Sequence, residues 1–232
     1  MSNFVVNPYS FVTGGDPQVT NIFNESNYTW TFVRPTYFTV NSGDDPTGYC
    51  KTDYAGSSFS GNGSGRTTIT SGNTKEFVFK FTFTTGSDNS DNDSIAPMLT
   101  SFVWADSTPD VNNKFIKFQC SNGDAAFFRA QTGTASITTE QDGEFIVGPG
   151  DTRYFTIEGN GTTWTAKSWS NSARTTDELV AKQSGATNTD LPFPSDWTTT
   201  NAMDMFQFGS GAGNNTMDFT ISEVSVSWDG GE

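Results

Sequence analysis

Between Glu76 and Thr84 the chain reads EFVFKFTFT, which puts Phe77, Phe79, Phe81 and Phe83 on one side of an extended backbone and Val78, Lys80 and Thr82 on the other. A period of two with rings on one face predicts a strand whose aromatic side is buried. Each buried ring contributes about 1.5–3 kcal/mol, and a slip of one residue would bury Lys80, so the register is firmly set. Shorter runs of the same kind predict strands at Tyr28–Val33, Thr36–Val40, Met98–Trp104, Lys114–Gln119, Ala126–Ala130, Glu144–Val147, Arg153–Glu158, Thr162–Trp169, Met203–Phe208 and Met217–Trp228. In the last run Met217, Phe219 and Ile221 hold one phase and Val224, Val226 and Trp228 the opposite one. That switch predicts a β-bulge or a sheet-to-sheet bend at Ser222 and Glu223. Gly159-Asn160-Gly161 carries the Asn-Gly signal of a tight hairpin turn, so the strands on either side of it are expected to be antiparallel neighbours.

The runs are separated by polar loops at Asn41–Asp45, Ser57–Gly65, Gly86–Ser94, Ser184–Asp190 and Ser210–Asn215. No long stretch has helical periodicity. Asp177–Lys182 is the one short helix candidate, with a strand as its other reading. Neither an internal repeat nor a compositional linker divides the chain. The pattern predicts an all-β fold: an antiparallel two-sheet β-sandwich over residues 41–232 with an N-terminal arm at 1–40. Asn7-Pro8 and Asp16-Pro17 mark that arm as a docking segment, unless it joins the sandwich.

Composition narrows the function more than the fold. At 232 residues the chain fits one large sandwich domain, and 33% hydrophobic residues with 21 Phe supply a core. A formal charge of -14 opposes a broad phosphate-binding face, so nucleic acid is not expected as a partner. No His is present, which removes His-based triads, His metal sites and His pH switches. Cys50 and Cys120 cannot hold zinc alone; they either pair or remain reduced, partly buried thiols. No apolar run approaches the roughly 20 residues of a membrane span, and the opening MSNFVVNPYSFVTGG has no secretory pattern. The expectation is a soluble protein made in the cytosol. Six Asn-x-Ser/Thr sites, including Asn24, Asn27 and Asn62, follow from a composition rich in Asn, Ser and Thr.

The Phe-alternating strand, the hairpin at Arg153–Ser170 and the closing strand Met217–Trp228 together resemble the concanavalin A-like lectin/glucanase jelly roll, in its laminin-G-like form frequent in bacteriophage structural proteins. The likeness covers about residues 66–228 and is carried in the hairpin by Phe155, Ile157, Asn160, Gly161, Trp164 and Ala166. It implies a jelly roll whose terminal strand returns to the middle of the back sheet. Val5–Phe11, VVNPYSF, is similar to the Asn-Pro-Tyr lead-in ahead of such domains in some phage virion proteins. The resemblance implies a virion structural protein assembled in the host cytoplasm: a capsid decoration or cement protein, or a head fibre. Its partners would be capsid or other virion proteins, a homotrimer being one arrangement, with weak adhesion to surface glycans. A free carbohydrate-binding lectin and a laminarinase-like glycosidase are the alternatives.

Three groups of residues carry candidate chemistry. Glu140, Asp142 and Glu144 match the Glu-x-Asp-x-Glu spacing of the laminarinase-type strand, where the outer two would act as nucleophile and acid/base. Gln141 and Gly143 stand where that strand has apolar residues, and Asp142-Gly143 is a turn signal, so a non-catalytic turn is expected and no enzyme activity with it. The loop carrying Asp88, Asp91 and Asp93 offers hard oxygen ligands suited to Ca²⁺, against a plain reading as a solvated acidic turn; no cofactor is otherwise expected. Of the six Trp, Trp164 and Trp228 are expected in the core, whereas Trp197, following Pro192 and Pro194, is the expected exposed ring for a sugar contact.

Overall fold

Phe77, Phe79, Phe81 and Phe83 are each 0% exposed while Lys80 between them is exposed, so this segment presents its rings to one interior and its lysine to solvent. The computed structural model describes residues 30–33, 39–41, 49–54, 64–72, 75–85, 94–101, 113–121, 125–139, 145, 150–183, 185–198, 203–210 and 217–228. Along the chain these form β1 (Trp30–Val33), β2 (Thr39–Asn41), β3 (Tyr49–Tyr54), β4 (Ser64–Gly72), β5 (Glu76–Thr85), β6 (Ser94–Thr100), β7 (Lys114–Ser121) and β8 (Ala125–Thr132). They continue with β9 (Ala135–Thr138), β10 (Thr152–Asn160), β11 (Thr163–Trp169), β12 (Leu179–Val180), β13 (Leu191–Pro192), β14 (Met203–Ser210) and β15 (Met217–Trp228).

Two antiparallel sheets result. The seven-stranded sheet runs β1-β4-β14-β6-β7-β8-β9, and the eight-stranded sheet runs β12-β11-β10-β5-β15-β3-β2 with β13 also paired to β11. The closing strand β15 lies between β5 and β3, in the middle of its sheet. Alternation dictates the packing. Phe81 stacks on Phe155 at 5.0 Å within the eight-stranded sheet, and Phe155 meets Phe118 of the facing sheet at 4.4 Å. Phe118 packs on Phe128 at 5.2 Å, and Phe79 meets Phe206 edge-on at 6.0 Å. Trp164 and Trp228 complete the filling at 0% and 1% exposure. A bridge between Thr139, after β9, and Gln183, after β12, ties the two sheets together along one side.

The bulge lies where the phase switch places it. The β15–β5 register steps from Ser222↔Thr82 to Ser225↔Lys80, three residues against two, and Glu223 takes a left-handed φ of 51°. Ile221, Val224, Val226 and Trp228 therefore all reach the core. The hairpin is equally regular: Ile157 faces Ala166 and Gly159 faces Trp164, leaving Gly161 and Thr162 as the loop. Gly161 has φ 90°, and Asn160 Oδ1 accepts the Thr162 and Thr163 N–H groups at 3.0 and 2.9 Å.

Several expectations are corrected. Asp177–Lys182 holds no helix: Asp177 has φ 52° and Leu179–Val180 is a strand on the edge of β11, which its short polar flanks concealed. The strand expected to reach Trp104 ends at Thr100, and β4 begins at Ser64 within an expected loop. Phe145 lies in a helical turn, not a strand, and packs edge-on against Phe128 at 5.4 Å. Within the segment 1–40, Trp30–Val33 pairs with β4, and Thr39 and Val40 pair with β3, in keeping with the alternative that it joins the sandwich; residues 1–29 and 34–38 lie outside the described residues. Among the described residues no helix is long and apolar enough to cross a membrane.

Candidate functional site

The hairpin that locks Phe155 and Ile157 inward necessarily points Tyr154, Thr156, Glu158 and Asn160 outward, and on β11 it points Thr163, Thr165, Lys167 and Trp169 the same way. Antiparallel pairing sets Glu158 opposite Thr165 and Thr156 opposite Lys167. The far edge of β11 is covered in two pieces: β12 pairs at Lys167 and Ser168, and β13 pairs at Thr163 and Trp164. Pro192 suits that edge because it has no N–H to offer a further strand, and its carbonyl accepts the Trp164 Nε1–H at 3.0 Å.

Where the chain leaves β12 and returns as β13 the outer surface is concave. A cavity of about 360 Å³ is lined by Glu158, Asn160, Thr165, Lys167, Val180, Thr189 and Asp190. Two carboxylates, an amide, two hydroxyls and an ammonium converge there around one aliphatic wall, Val180. Lys167 also holds Glu178 at 3.5 Å. Such a set of donors and acceptors matches a ligand made of hydroxyl groups, and the volume is at the small-molecule end of binding cavities.

At the other end of the same face the segment 170–178 is braced on itself. Ser170 Oγ donates to Asp177 Oδ2 at 2.8 Å, Asn171 Oδ1 accepts the Thr175 and Thr176 N–H groups, and Arg153 Nη2 donates to the Asp177 carbonyl at 3.2 Å. The Arg174 guanidinium lies 5.9 Å from the Tyr154 ring centre. Burial works against its charge, and Glu223 and Tyr154 favour it. Arg174 and Asp177 both adopt left-handed φ, at 54° and 52°, each at a cost of about 1–3 kcal/mol. The Arg174 Nε is buried without a hydrogen-bond partner.

The outer face of the seven-stranded sheet is different in kind. A register row runs from Gln207 through Met98 and Lys117 to Arg129. Gln207, Met98 and Lys117 are at most 5% exposed, as is Phe127 beside them. Lys117 lies 5.4 Å from the Phe115 ring and 5.9 Å from that of Phe127, and donates to Gln119 Oε1 at 2.6 Å. Burial, and secondarily Arg129, push its pKa down to about 8. Around Gln207, Met98, Lys117 and Phe127 this face is buried. The signal for it was present in the strands 114–119 and 126–130, where rings fall in both phases, as in a sheet covered on both sides.

Of the residues expected to carry chemistry, Trp197 alone is among the described residues, and it does not line the cavity. Trp197 is 3% exposed and packs on Phe193 at 5.2 Å inside the core, which corrects the expectation of an exposed ring. Its backbone N–H closes a turn onto the Pro194 carbonyl at 2.9 Å, and the indole joins the same core cluster as Leu191 and Phe193. Pro194 marks a loop as expected, whereas Pro192 lies in β13, and the ring that follows them is buried. Asp88, Asp91, Asp93, Glu140, Asp142 and Glu144 lie outside the described residues, and among the described residues no group of three or more potential metal ligands occurs. The backbones of Cys50 and Cys120 belong to opposite sheets, in β3 and β7.

The class of fold follows from this layout: a concanavalin A-like jelly-roll sandwich with antiparallel sheets of seven and eight strands. The chain is similar to the exoplasmic/lumenal domain of VIP36, solved with Ca²⁺ and Man3GlcNAc, at TM-score 0.52 and 8% identity over 91% of this chain and 87% of that one. It is also similar to an uncharacterized protein from Mycobacterium paratuberculosis (TM-score 0.54, 6% identity, 89% and 98% covered). The binding domain of botulinum neurotoxin DC, solved in complex with SialylT, is similar at TM-score 0.52 and 9% identity over 92% of this chain and 48% of that one. No family model matches the sequence, and no curated protein does.

Proposed function

We infer that the chain is a non-enzymatic contact module that binds glycans through the cavity between β10, β11 and the β12–β13 edge, and that it does so on the surface of a phage particle. The observation that carries the glycan reading is the cavity itself: Glu158, Asn160, Thr165, Lys167, Thr189 and Asp190 converge on a volume of about 360 Å³. Sugar recognition asks for that mixture of acceptors and donors at fixed positions, and strand pairing fixes four of the six. The Man3GlcNAc held by VIP36 and the SialylT complex of the neurotoxin domain support the same reading, as proteins of this fold that hold glycans. The virion setting rests on the likeness of the hairpin, the closing strand and Val5–Phe11 to phage structural proteins, in keeping with a rigid sandwich suited to display.

The glycan reading is tested on an array of single sugars and their linear oligomers. Binding is expected for the wild type and is expected to fall below detection in Glu158→Gln with Asp190→Asn. No binding anywhere on the array, or binding that the double variant keeps, would contradict it. The same incubations are expected to release no reducing sugar. Mass spectrometry of purified virions is expected to find this chain in many copies per particle; particles without it would remove the virion setting and leave the glycan reading standing.

A further inference from the structure

Four buried apolar side chains among the described residues stand outside the core between the sheets: Met98, Phe115, Phe127 and Trp169. The first three share the outer face of the seven-stranded sheet. Trp169 alone is on the eight-stranded sheet, where Trp164 and Ala166 point inward and Trp169 therefore points outward, yet it is only 7% exposed. Its cross-strand partner is Tyr154, which places the two residues at neighbouring positions on the outer face. The Arg174 contact puts the segment 170–178, which follows Trp169 directly in the chain, over the Tyr154 ring. The segment is tied to the sheet by Arg174 on Tyr154, by Arg153 on the Asp177 carbonyl and by Lys167 on Glu178, while Ser172, Ala173 and Thr175 to Glu178 are exposed. It also contains two left-handed non-glycine residues and the unmatched Arg174 Nε.

The geometry points to a covered sugar-stacking platform, Tyr154 with Trp169, that opens when the 170–178 strap lifts and then extends the cavity into a track for a linear oligosaccharide. The proposal rests on the glycan reading of the cavity and adds the length of its ligand. Tyr154 and Glu158 stand on one strand face four residues apart, roughly 13 Å, with Thr156 and Lys167 between them. The cavity would hold one ring by hydrogen bonds and the platform a later ring of the same chain by stacking, the usual division of labour for amphipathic ligands. The strain of two left-handed residues offsets part of the cost of breaking the strap's contacts with Tyr154, Arg153 and Lys167, and a glycan long enough to reach the platform favours the open form by its differential contacts.

The test compares wild type, Arg174→Ala, Trp169→Ala and Asn160→Ala on single sugars of glucose, mannose, galactose and N-acetylglucosamine and on their linear oligomers. Circular dichroism checks each fold. Arg174→Ala removes the contact with Tyr154 and keeps the left-handed strain, and is expected to strengthen oligomer binding several-fold with single sugars unchanged. Trp169→Ala is expected to weaken oligomers by roughly tenfold, the scale of one lost stacking contact, and to spare single sugars. In the absence of sugar, acrylamide quenching of the Trp169 emission, read as the difference from Trp169→Phe, is expected to rise in Arg174→Ala. If Arg174→Ala changes neither quenching nor oligomer binding, or Trp169→Ala affects single sugars as much as oligomers, the platform is overturned while an effect of Asn160→Ala still upholds the cavity. If no sugar binds to any variant, the glycan reading fails and the platform with it.

Discussion

Single positions decide how tightly the hairpin end of the molecule is drawn together. A Cβ added at Gly159 would lie 2.4 Å from the Lys75 carbonyl oxygen and 2.9 Å from a Phe77 ring carbon, and that same carbonyl accepts the Gly161 N–H at 2.8 Å. Gly159→Ala is therefore expected to cost on the order of 1–3 kcal/mol in urea unfolding, with the cavity residues Glu158 and Asn160 displaced alongside. Lys117 is the opposite case, a side chain whose burial is unfavourable in one charge state. Its folded pKa of about 8 lies below the ordinary lysine value of 10.5, so between those values the unfolded chain binds the extra proton and stability rises with pH. Below pH 8 the lysine is charged in both states and the cost is constant. Lys117→Met is expected to raise stability at pH 7 by on the order of 1–3 kcal/mol, with the gain shrinking as pH climbs through that window. An unchanged difference across the window, followed by thermal unfolding, would count against this account.

At the scale of elements, β15 gives the sharpest test. One extra residue at Glu223 brings Val224, Val226 and Trp228 inward, and Thr82 Oγ1 donates to its carboxylate at 2.7 Å. Deleting Glu223 restores unbroken alternation and is expected to keep the fold with a loss of about 1–2 kcal/mol. Deleting Ser225 instead sends Val224 outward and Glu223 inward, and is expected to cost roughly 4 kcal/mol or more, the range reserved for buried unpaired charge. Both are read by chemical denaturation. The bulge, β5 and the β10–β11 hairpin were legible in the sequence because bulky side chains mark their phase. β3, β4 and β9 were not: Ser, Thr and Gly occupy most of SGRTTITSG and half of ASIT, and YCKTDY has no aliphatic residue to mark a phase, so the inward face is barely marked. β12 and β13 have two residues each, too few for any period, and are strands only because the β11 edge is there to receive them. The cavity was hidden for the same reason. Glu158 and Asn160 could be read as outward-facing, but Asp190 and Val180 join them through the gap between two unreadable strands.

For the whole molecule, the rings of two facing sheets fill the interior. A chelator is expected to leave the melting temperature unchanged, and a fall would show that a bound metal stabilises the fold, with Asp88, Asp91 and Asp93 the candidate ligands. The two outer faces are then unequal: that of the seven-stranded sheet is buried at Phe115, Lys117 and Phe127, whereas that of the eight-stranded sheet carries the polar cavity. The account places ligand contact on the latter. The direct measurement is a titration of the ¹⁵N-labelled protein with the oligosaccharide that binds best on the array, followed by amide chemical shifts. Shifts concentrated at Glu158, Asn160, Thr165, Lys167 and Asp190 are the expected result. Shifts gathered instead at Lys117, Arg129 and Gln131 would move the site to the other sheet and contradict the account.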